Sequence, residues 1–377
     1  MTFSPSRDRE LLFDWLALER VPRVGPLTIA RLIEAFGSPA ASLRATAEQI
    51  KRKTGLGEKT ARSISEFIPP ADAIRKDMDV LERLGAAVVT RWHTDYPPNL
   101  KEIHDPPALL FVRGRLKPAD TNAVAVVGTR NPSNYGLEVT ESITRDLVRA
   151  GVTLVSGLAR GIDTACHRTA LKEGGRTLGV LGCGVDVVYP RENGRLIQDM
   201  AEASAVISEF RPGTPPLATH FYRRNRIVSG LSKAVLVVEA ASTSGSLITA
   251  GHALDQNRDV CAVPGNVLNT RSRGPHKLIK QGAGLVESAQ DILELLCPRP
   301  NSEAPRQQSL ALVSDLEVLP EQSSRVLAQM DSDPVPIDLL CEALGMEPGR
   351  LAGILLDLEL RGLIRQYPGK MFALAKP

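Results

Sequence analysis

Short apolar runs recur through the middle of the chain, at Ala123–Val127, Val152–Val155, Thr177–Leu181, Ala205–Ile207, Ala234–Val238 and Val260–Val263. They do not alternate polar with apolar positions, so both faces of each run call for cover. Between most of them lie longer stretches with apolar residues at helical spacing, such as Leu137–Ala150 and Ser246–Asn257. Continuous strands separated by amphipathic helices predict a mostly parallel sheet with helices on both faces. The expected fold is α/β: a Rossmann-like, doubly wound domain over residues 95–297. Its leading part is a Pro-rich bridge, Asp95–Pro107, followed by Leu109, Leu110, Phe111 and Val112, which suggest an edge strand.

A different pattern governs the two ends. Val24-Gly25-Pro26 precedes the helical pattern Leu27–Phe36, and Leu56-Gly57-Glu58 precedes Thr60–Phe67. Gly-containing turns between short helices fit paired helix–hairpin–helix units, so residues 8–85 are expected to form a helical, SAM-like domain. Such turns expose N–H groups that can hold a phosphate, although plain helical hairpins give the same pattern. Residues 298–319 read as a linker, with Pro298, Pro300 and Pro305 among polar residues. Beyond it, helices are expected at Glu321–Met330, Ile337–Leu344 and Arg350–Arg361, then a two-stranded wing over Leu363–Leu374 turning at Pro368-Gly369. That order predicts a winged-helix domain over residues 320–377.

Charge sharpens this division. The net charge of the 377 residues is +3, but residues 1–120, 121–290 and 291–377 carry +3, +5 and −5. A basic body with an acidic tail suggests a polyanionic partner for the body. No apolar run approaches the roughly 18 residues that cross a bilayer, and the charged start of the chain does not resemble a signal peptide. Five cysteines without metal-type spacing fit a reducing, cytoplasmic setting.

Candidate chemistry concentrates where the apolar runs end. They lead into Gly128-Thr129-Arg130, Ser156-Gly157-Leu158-Ala159-Arg160-Gly161-Ile162-Asp163, Gly182-Cys183-Gly184, Ala241–Ser246 and Pro264-Gly265-Asn266. In an open α/β sheet, ligands bind outside the carboxyl ends of the strands. Gly lets a backbone approach an anion closely. Helix amino ends offer unpaired N–H groups, and Arg offers a planar fork. Several such loops on one edge predict a surface for more than one phosphate. The first loop lacks the dinucleotide pattern GxGxxG, and the only Gly-Lys pair, Gly369-Lys370, lies outside any P-loop pattern.

From Phe210 to Val238 there is no acid, while Arg211, Arg223, Arg224, Arg226 and Lys233 add five cations around Phe221 and Tyr222. Aromatic rings for bases beside cations for phosphates are the ingredients of single-strand binding. Phe221 is expected at a loop end after Pro212, Gly213, Pro215 and Pro216. A second acid-free window, Val260–Val286, holds Arg271, Arg273, Lys277 and Lys280, which extend a basic track or form a partner face. No catalytic set emerges. Asp163 is expected to cap its helix, His167 to be structural, and Glu239 to hold the Arg224–Arg226 segment by salt bridges. Cys166, Cys183 and Cys261 have small or apolar neighbours and read as buried thiols.

Taken in chain order, Val126-Val127-Gly128-Thr129-Arg130, Ser156–Asp163, Arg224-Asn225-Arg226-Ile227, Glu239-Ala240, Ser244-Gly245-Ser246-Leu247-Ile248-Thr249-Ala250 and Ala262-Val263-Pro264-Gly265 resemble the bacterial DNA-processing protein A family. The resemblance covers residues 95–295. It implies a homodimer that binds and protects incoming single-stranded DNA without a cofactor. It also implies loading of a RecA-type recombinase during natural transformation and homologous recombination. Carried onto this chain, Gly128, Thr129, Arg130, Ser156, Gly157, Arg160 and Gly161 contact phosphates, and Phe221 stacks on a base. Arg224, Asn225 and Arg226 lie nearby, and Ser244, Gly245 and Ser246 complete the site. The family's pairing contact would map to residues 276–289. Thr129 stands where Ser is commoner, and Tyr222 where Pro is common. Two other readings are a nucleoside-monophosphate phosphoribohydrolase and an adaptor sensing a phosphorylated metabolite. The first wants a PGGxGT-type loop with paired acids, whereas this chain has Ser244-Gly245-Ser246 and the single Glu239.

Overall fold

The structure, a computed structural model, describes residues 2–3, 8–296, 321–327, 329–330, 335–360, 363–367 and 371–374. The expected linker at 298–319 and the wing turn Pro368-Gly369 lie outside the described residues. The chain forms two compact units, Met1–Pro298 and Arg299–Pro377.

In the first unit ten strands make one sheet. They are β1 (Thr2–Phe3), β2 (Ala87–Thr90), β3 (Leu109–Gly114), β4 (Ala123–Val127), β5 (Thr153–Ser156), β6 (Thr177–Leu181), β7 (Ala205–Ser208), β8 (Ala234–Val237), β9 (Asp259–Ala262) and β10 (Gly284–Leu285). The spatial order is β1-β2-β3-β7-β6-β5-β4-β8-β9-β10. From β7 to β10 every pairing is parallel, while β1, β2 and β3 add antiparallel pairs at one side. The segment expected as an edge strand, β3, is therefore internal. It pairs with β7 on one side and on the other with β2, a short apolar run whose strand character the sequence does not announce.

The amino-terminal helices are α1 (Arg9–Arg20), α2 (Pro26–Phe36), α3 (Pro39–Arg44), α4 (Ala47–Thr54), α5 (Glu58–Ser65) and α6 (Ala71–Arg83). Gly25 and Gly57 precede α2 and α5, as the two hairpin turns require. Leu12, Leu16, Leu32, Ile50, Ile64, Ile74 and Leu81 form their core, which continues through Val88 and Phe111 onto the sheet. The helices around the parallel strands are α7 (Pro98–Lys101), α8 (Asn134–Arg149), α9 (Ile162–Lys172), α10 (Gly194–Ala203), α11 (Ala218–Gly230), α12 (Ser246–Asp255), α13 (Arg273–Lys280) and α14 (Ala289–Leu296). One sheet face packs through Val155, Val180, Ile207, Ile227 and Val235, the other through Val124, Val126, Leu154, Ile162 and Leu236. Each such side chain contributes about 1.5–3 kcal/mol by leaving water.

The connections fix where a ligand belongs. From β4 the chain passes through α8 to β5 on one side, and from β8 through α12 to β9 on the other. Adjacent strands whose connections diverge open a crevice above their carboxyl ends. That crevice lies above β4 and β8.

In the second unit, α15 (Glu321–Leu327), α16 (Ile337–Leu344) and α17 (Pro348–Leu360) combine with β11 (Val335–Pro336), β12 (Ile364–Tyr367) and β13 (Met371–Leu374). The three strands are antiparallel in the order β11-β13-β12, with Ile364 opposite Leu374. Val326, Leu340, Leu351, Leu355, Ile364 and Phe372 fill its core, giving a winged helix.

Candidate functional site at the sheet crest

The carboxyl edge of the parallel strands carries a groove of about 610 Å³. Its wall is built from four stretches that are distant in sequence. Gly128, Thr129 and Arg130 follow β4, Gly157 and Ala159 follow β5, and residues 241–246 lead from β8 into α12. The fourth side is the first half of α11, with Phe221, Tyr222, Arg224 and Asn225.

The turns are held by backbone bonds that leave no room for larger residues. Thr129 donates its N–H to Glu239 O at 2.7 Å, and Ile162 donates to Thr129 O at 3.3 Å. A Cβ on Gly161 would lie 2.3 Å from Thr129 O, and the residue's φ of 78° is left-handed, so only Gly serves there. A Cβ on Gly157 would lie 1.9 Å from Arg224 Nη1. Gly157 therefore gives the Arg224 guanidinium its place. Ser244, Gly245 and Ser246 bring the amino end of α12 to the groove, where the Leu247 and Ile248 N–H groups bond Ser244 O and Gly245 O at 3.1 Å and the Ser246 N–H lies 3.4 Å from the Ser244 hydroxyl. The Ser244 and Ser246 hydroxyls are 2.8 Å apart and hydrogen-bonded.

Helical phase sorts the acid-free segment. Phe221 belongs to α11 and not to a loop end, as the Pro-rich lead-in had suggested. On a helix, residues three and four apart share a face, so Phe221, Arg224, Asn225 and Val228 line the groove together. Phe221 is half-buried. Its ring centroid lies 5.3 Å from that of Tyr189, and its edge occupies the space a Cβ on Gly182 would need. The Arg130 and Arg224 guanidinium carbons stand 5.9 and 5.8 Å from the Phe221 ring centroid. Tyr222, 56% exposed, forms part of the rim.

The two flanking arginines correct the expectation of a surface fork. Arg224 is only 5% exposed, and its Nη1 donates to Val180 O at 2.6 Å. It lies in the groove floor. Arg226 turns to the opposite face of α11. It bonds Glu209 at 2.5 Å and Asp105 by both its backbone carbonyl and its carboxylate, and does not line the groove. Arg223 also reaches Glu209, at 3.1 Å. Ser156 is corrected too: fully buried, it donates its hydroxyl to Val126 O at 2.6 Å, which ties β5 to β4. Arg160 is exposed and paired with Glu192, outside the groove wall.

Three acid–base expectations resolve in the same way. Asp163 does not cap α9 from outside. It lies inside the helix start and accepts the Gly157 and Ala159 N–H groups at 3.1 and 3.3 Å, which folds the β5 loop. Burial raises its carboxyl above the usual range, opposed by the charge of Arg224. Glu239 forms no bridge to α11. Its carboxylate accepts the Ser133 N–H at 2.9 Å and the Ser133 hydroxyl at 2.6 Å, pinning the loop that carries Arg130. His167 is fully buried, 2.6 Å from the Thr177 hydroxyl, and burial pushes its imidazole down to about 3. Cys166, Cys183 and Cys261 are buried thiols whose pKa values burial raises to about 12, 11 and 12.

Sequence reasoning misses Tyr189, while Thr243 belongs to the Ala241–Ser246 loop it singled out. Tyr189 reaches the groove from the loop after β6, beyond the crest signal Gly182-Cys183-Gly184. Only its contact with Phe221 reveals it. The arrangement as a whole offers Arg130 and the Ser244 and Ser246 hydroxyls to anions, and an aromatic surface to flat rings.

Comparison with known proteins agrees with this architecture. The family model for DNA recombination-mediator protein A matches residues 87–297. A DprA winged helix domain model matches 311–370, and a SAM-like helix-hairpin-helix tandem model matches 16–68. Protein Smf of Escherichia coli is 40% identical over 330 residues, covering 85% of each chain. The crystal structure of DNA processing protein A from Streptococcus pneumoniae superposes with a TM-score of 0.66 at 34% identity, over 78% of this chain and 98% of that one. The protein from Helicobacter pylori, solved for its single-stranded DNA binding mode, matches at 30% identity and a TM-score of 0.50, over 55% of this chain and 95% of that one. The chain belongs to the DNA recombination-mediator protein A family, the DprA/Smf proteins.

Proposed function

We propose that this chain binds single-stranded DNA along the crest groove and loads a RecA-type recombinase onto it during transformation and homologous recombination. It would act as a cytoplasmic homodimer and without enzymatic chemistry. The observation that carries the reading is convergence. Gly128-Thr129-Arg130, Gly157, Phe221, Arg224, Asn225 and Ser244-Gly245-Ser246, predicted from separate motifs, line one groove at the topological switch point. Arg130 and the α12 start supply phosphate contacts, Phe221 with Tyr189 and Tyr222 supplies flat apolar surface for bases, and Gly161 shapes the loop around them. Arg224, Arg226 and Ser156 act beneath the surface as positioning residues. A relative that binds single-stranded DNA supports the ligand class; recombinase loading and dimerisation rest on family membership.

The hydrolase alternative has less support. A general base must be free to take a proton, but Glu239 is engaged by Ser133, Asp163 by two amides, and His167 is buried away from the groove. An electrophoretic shift with labelled single-stranded and duplex DNA tests the proposal, with nucleoside-monophosphate hydrolysis as the parallel assay. Preferential retention of the single strand with no hydrolysis is expected. Hydrolysis without retention would overturn it.

A further inference from the structure

The opposite edge of the sheet holds a second groove, of about 660 Å³, that no part of the crest site explains. It lies where β3 ends and where β6 and β7 begin, at the amino edge of the parallel strands, and it is closed on one side by Leu84 and Gly85 after α6. Arg113, Arg115, Lys117 and Arg176 line it against one acid, Glu202. Arg176 is anchored by Asp120, at 2.7 and 2.8 Å. The other three cations form no ion pair among the described residues.

Arg113 is the telling member. It alternates with Val112 along β3, so it projects toward the amino-terminal helices, on the face where Phe111 is buried. Its Nε is shut off from solvent and has no hydrogen-bond partner among the described residues. Desolvation lowers its pKa. Asp186 offsets part of that desolvation, and an anion in the groove would offset more of it. Gly114 beside it lies so close to the end of α10 that a Cβ would meet Ala201 O at 2.7 Å and Ser204 O at 2.3 Å. That approach fixes the strand end from which Arg113 and Arg115 project.

We propose that this groove is a second nucleic-acid site, taking phosphodiester groups of a strand that extends beyond the crest. The inference rests on the crest reading for the strand itself. The lining favours phosphate over other anions of macromolecules. Two guanidinium forks and an ammonium suit phosphate oxygens. Among the described residues its only large apolar side chain is Leu84, which gives an acidic peptide little to pack against. None of these lining residues is aromatic, so bases go ungripped and the groove's contribution is independent of sequence.

The test uses the full chain and fluorescence anisotropy with oligothymidylates of about 6 and about 30 residues, the first within and the second beyond the roughly 4–16 nucleotides of a single compact site. Arg113→Gln, the double variant Arg115→Gln/Lys117→Gln and the crest variant Arg130→Ala are compared across salt concentrations. The back-groove variants should bind the short strand as the parent does. For the long strand they should show a log Kd–log salt slope shallower by roughly 0.7 for each phosphate no longer neutralised. Arg130→Ala should weaken both lengths. If Arg113→Gln lowers the melting temperature, the double variant, whose side chains are exposed, carries the test. A parental slope for the long strand in the back-groove variants overturns the inference, as does a weakening confined to binding of polyglutamate. If Arg130→Ala leaves both lengths unchanged while the back-groove variants weaken the long strand, the crest reading fails and this groove stands.

Discussion

Arg224 and Asp163 are both ionisable and both buried, and each offsets part of the desolvation of the other. Their neighbours follow from that pairing: Gly157 because a side chain would strike the guanidinium, and Phe221 because its ring covers it. Residue types were legible in the sequence here, but roles were not. Arg226 and Arg224 look alike in the chain, yet Arg226 pairs with Glu209 and Asp105, partners that only the fold brings near. His167 gives a prediction at this scale. Its folded pKa is depressed to about 3 from 6.5, so the unfolded chain takes up a proton that the folded one refuses. That stability is intact above pH 6.5 and is lost as pH falls toward 3, with a slope of up to about 1.4 kcal/mol per pH unit. Unfolding of His167→Gln followed against pH should show a shallower decline over that window than the parent chain. Identical slopes would contradict the assignment.

Among the elements, the parallel strands β4 to β9 were readable almost to the residue, because burial on both faces leaves a continuous apolar run, whereas the exposed two-residue β10 was not read. Nor was the start of α11. Its N-cap is Leu217, without a side-chain cap, and Pro-rich sequence precedes it. The helix is held instead by burial of Ile227 and Val228 against the sheet, which local sequence does not announce. The consequence is testable on Phe221, which packs on Gly182 and Tyr189 while facing the groove. Phe221→Ala should cost about 1–3 kcal/mol of single-strand affinity by the stacking magnitude. Phe221→Leu should restore melting temperature but not all of the affinity. A Phe221→Ala protein that melts far lower yet binds normally while folded would assign the ring to packing alone.

For the molecule as a whole, charge and topology divide the work. The crest and back grooves lie in the basic unit, whereas residues 291–377 carry −5. An acidic unit repels a polyanion, so removing residues 317–377 should leave single-strand affinity within tenfold of the full chain by filter binding. A larger drop, with the remaining unit folded and dimeric, would give the winged helix a direct part in DNA binding. Changes of period in the sequence mark helical, α/β and winged-helix stretches, but the first two of these share one compact unit, Met1–Pro298. The back groove was not legible there, because Arg113, Arg115 and Lys117 meet Arg176 and the Gln198–Ser204 wall only when β3 is inserted beside β7.

The central claim is that the crest groove holds the phosphates of a single strand, and salt dependence measures this most directly. With about three to five phosphates neutralised, log affinity should fall against log salt with a slope of roughly −2 to −3.5 for a single strand. Arg130, exposed at the groove wall beside Phe221, should account for one of those phosphates. Titrations of one labelled oligonucleotide across salt concentrations should give Arg130→Ala a slope shallower by about 0.7. A flat salt response in the parent chain, or an unchanged slope in a correctly folded Arg130→Ala, would contradict it.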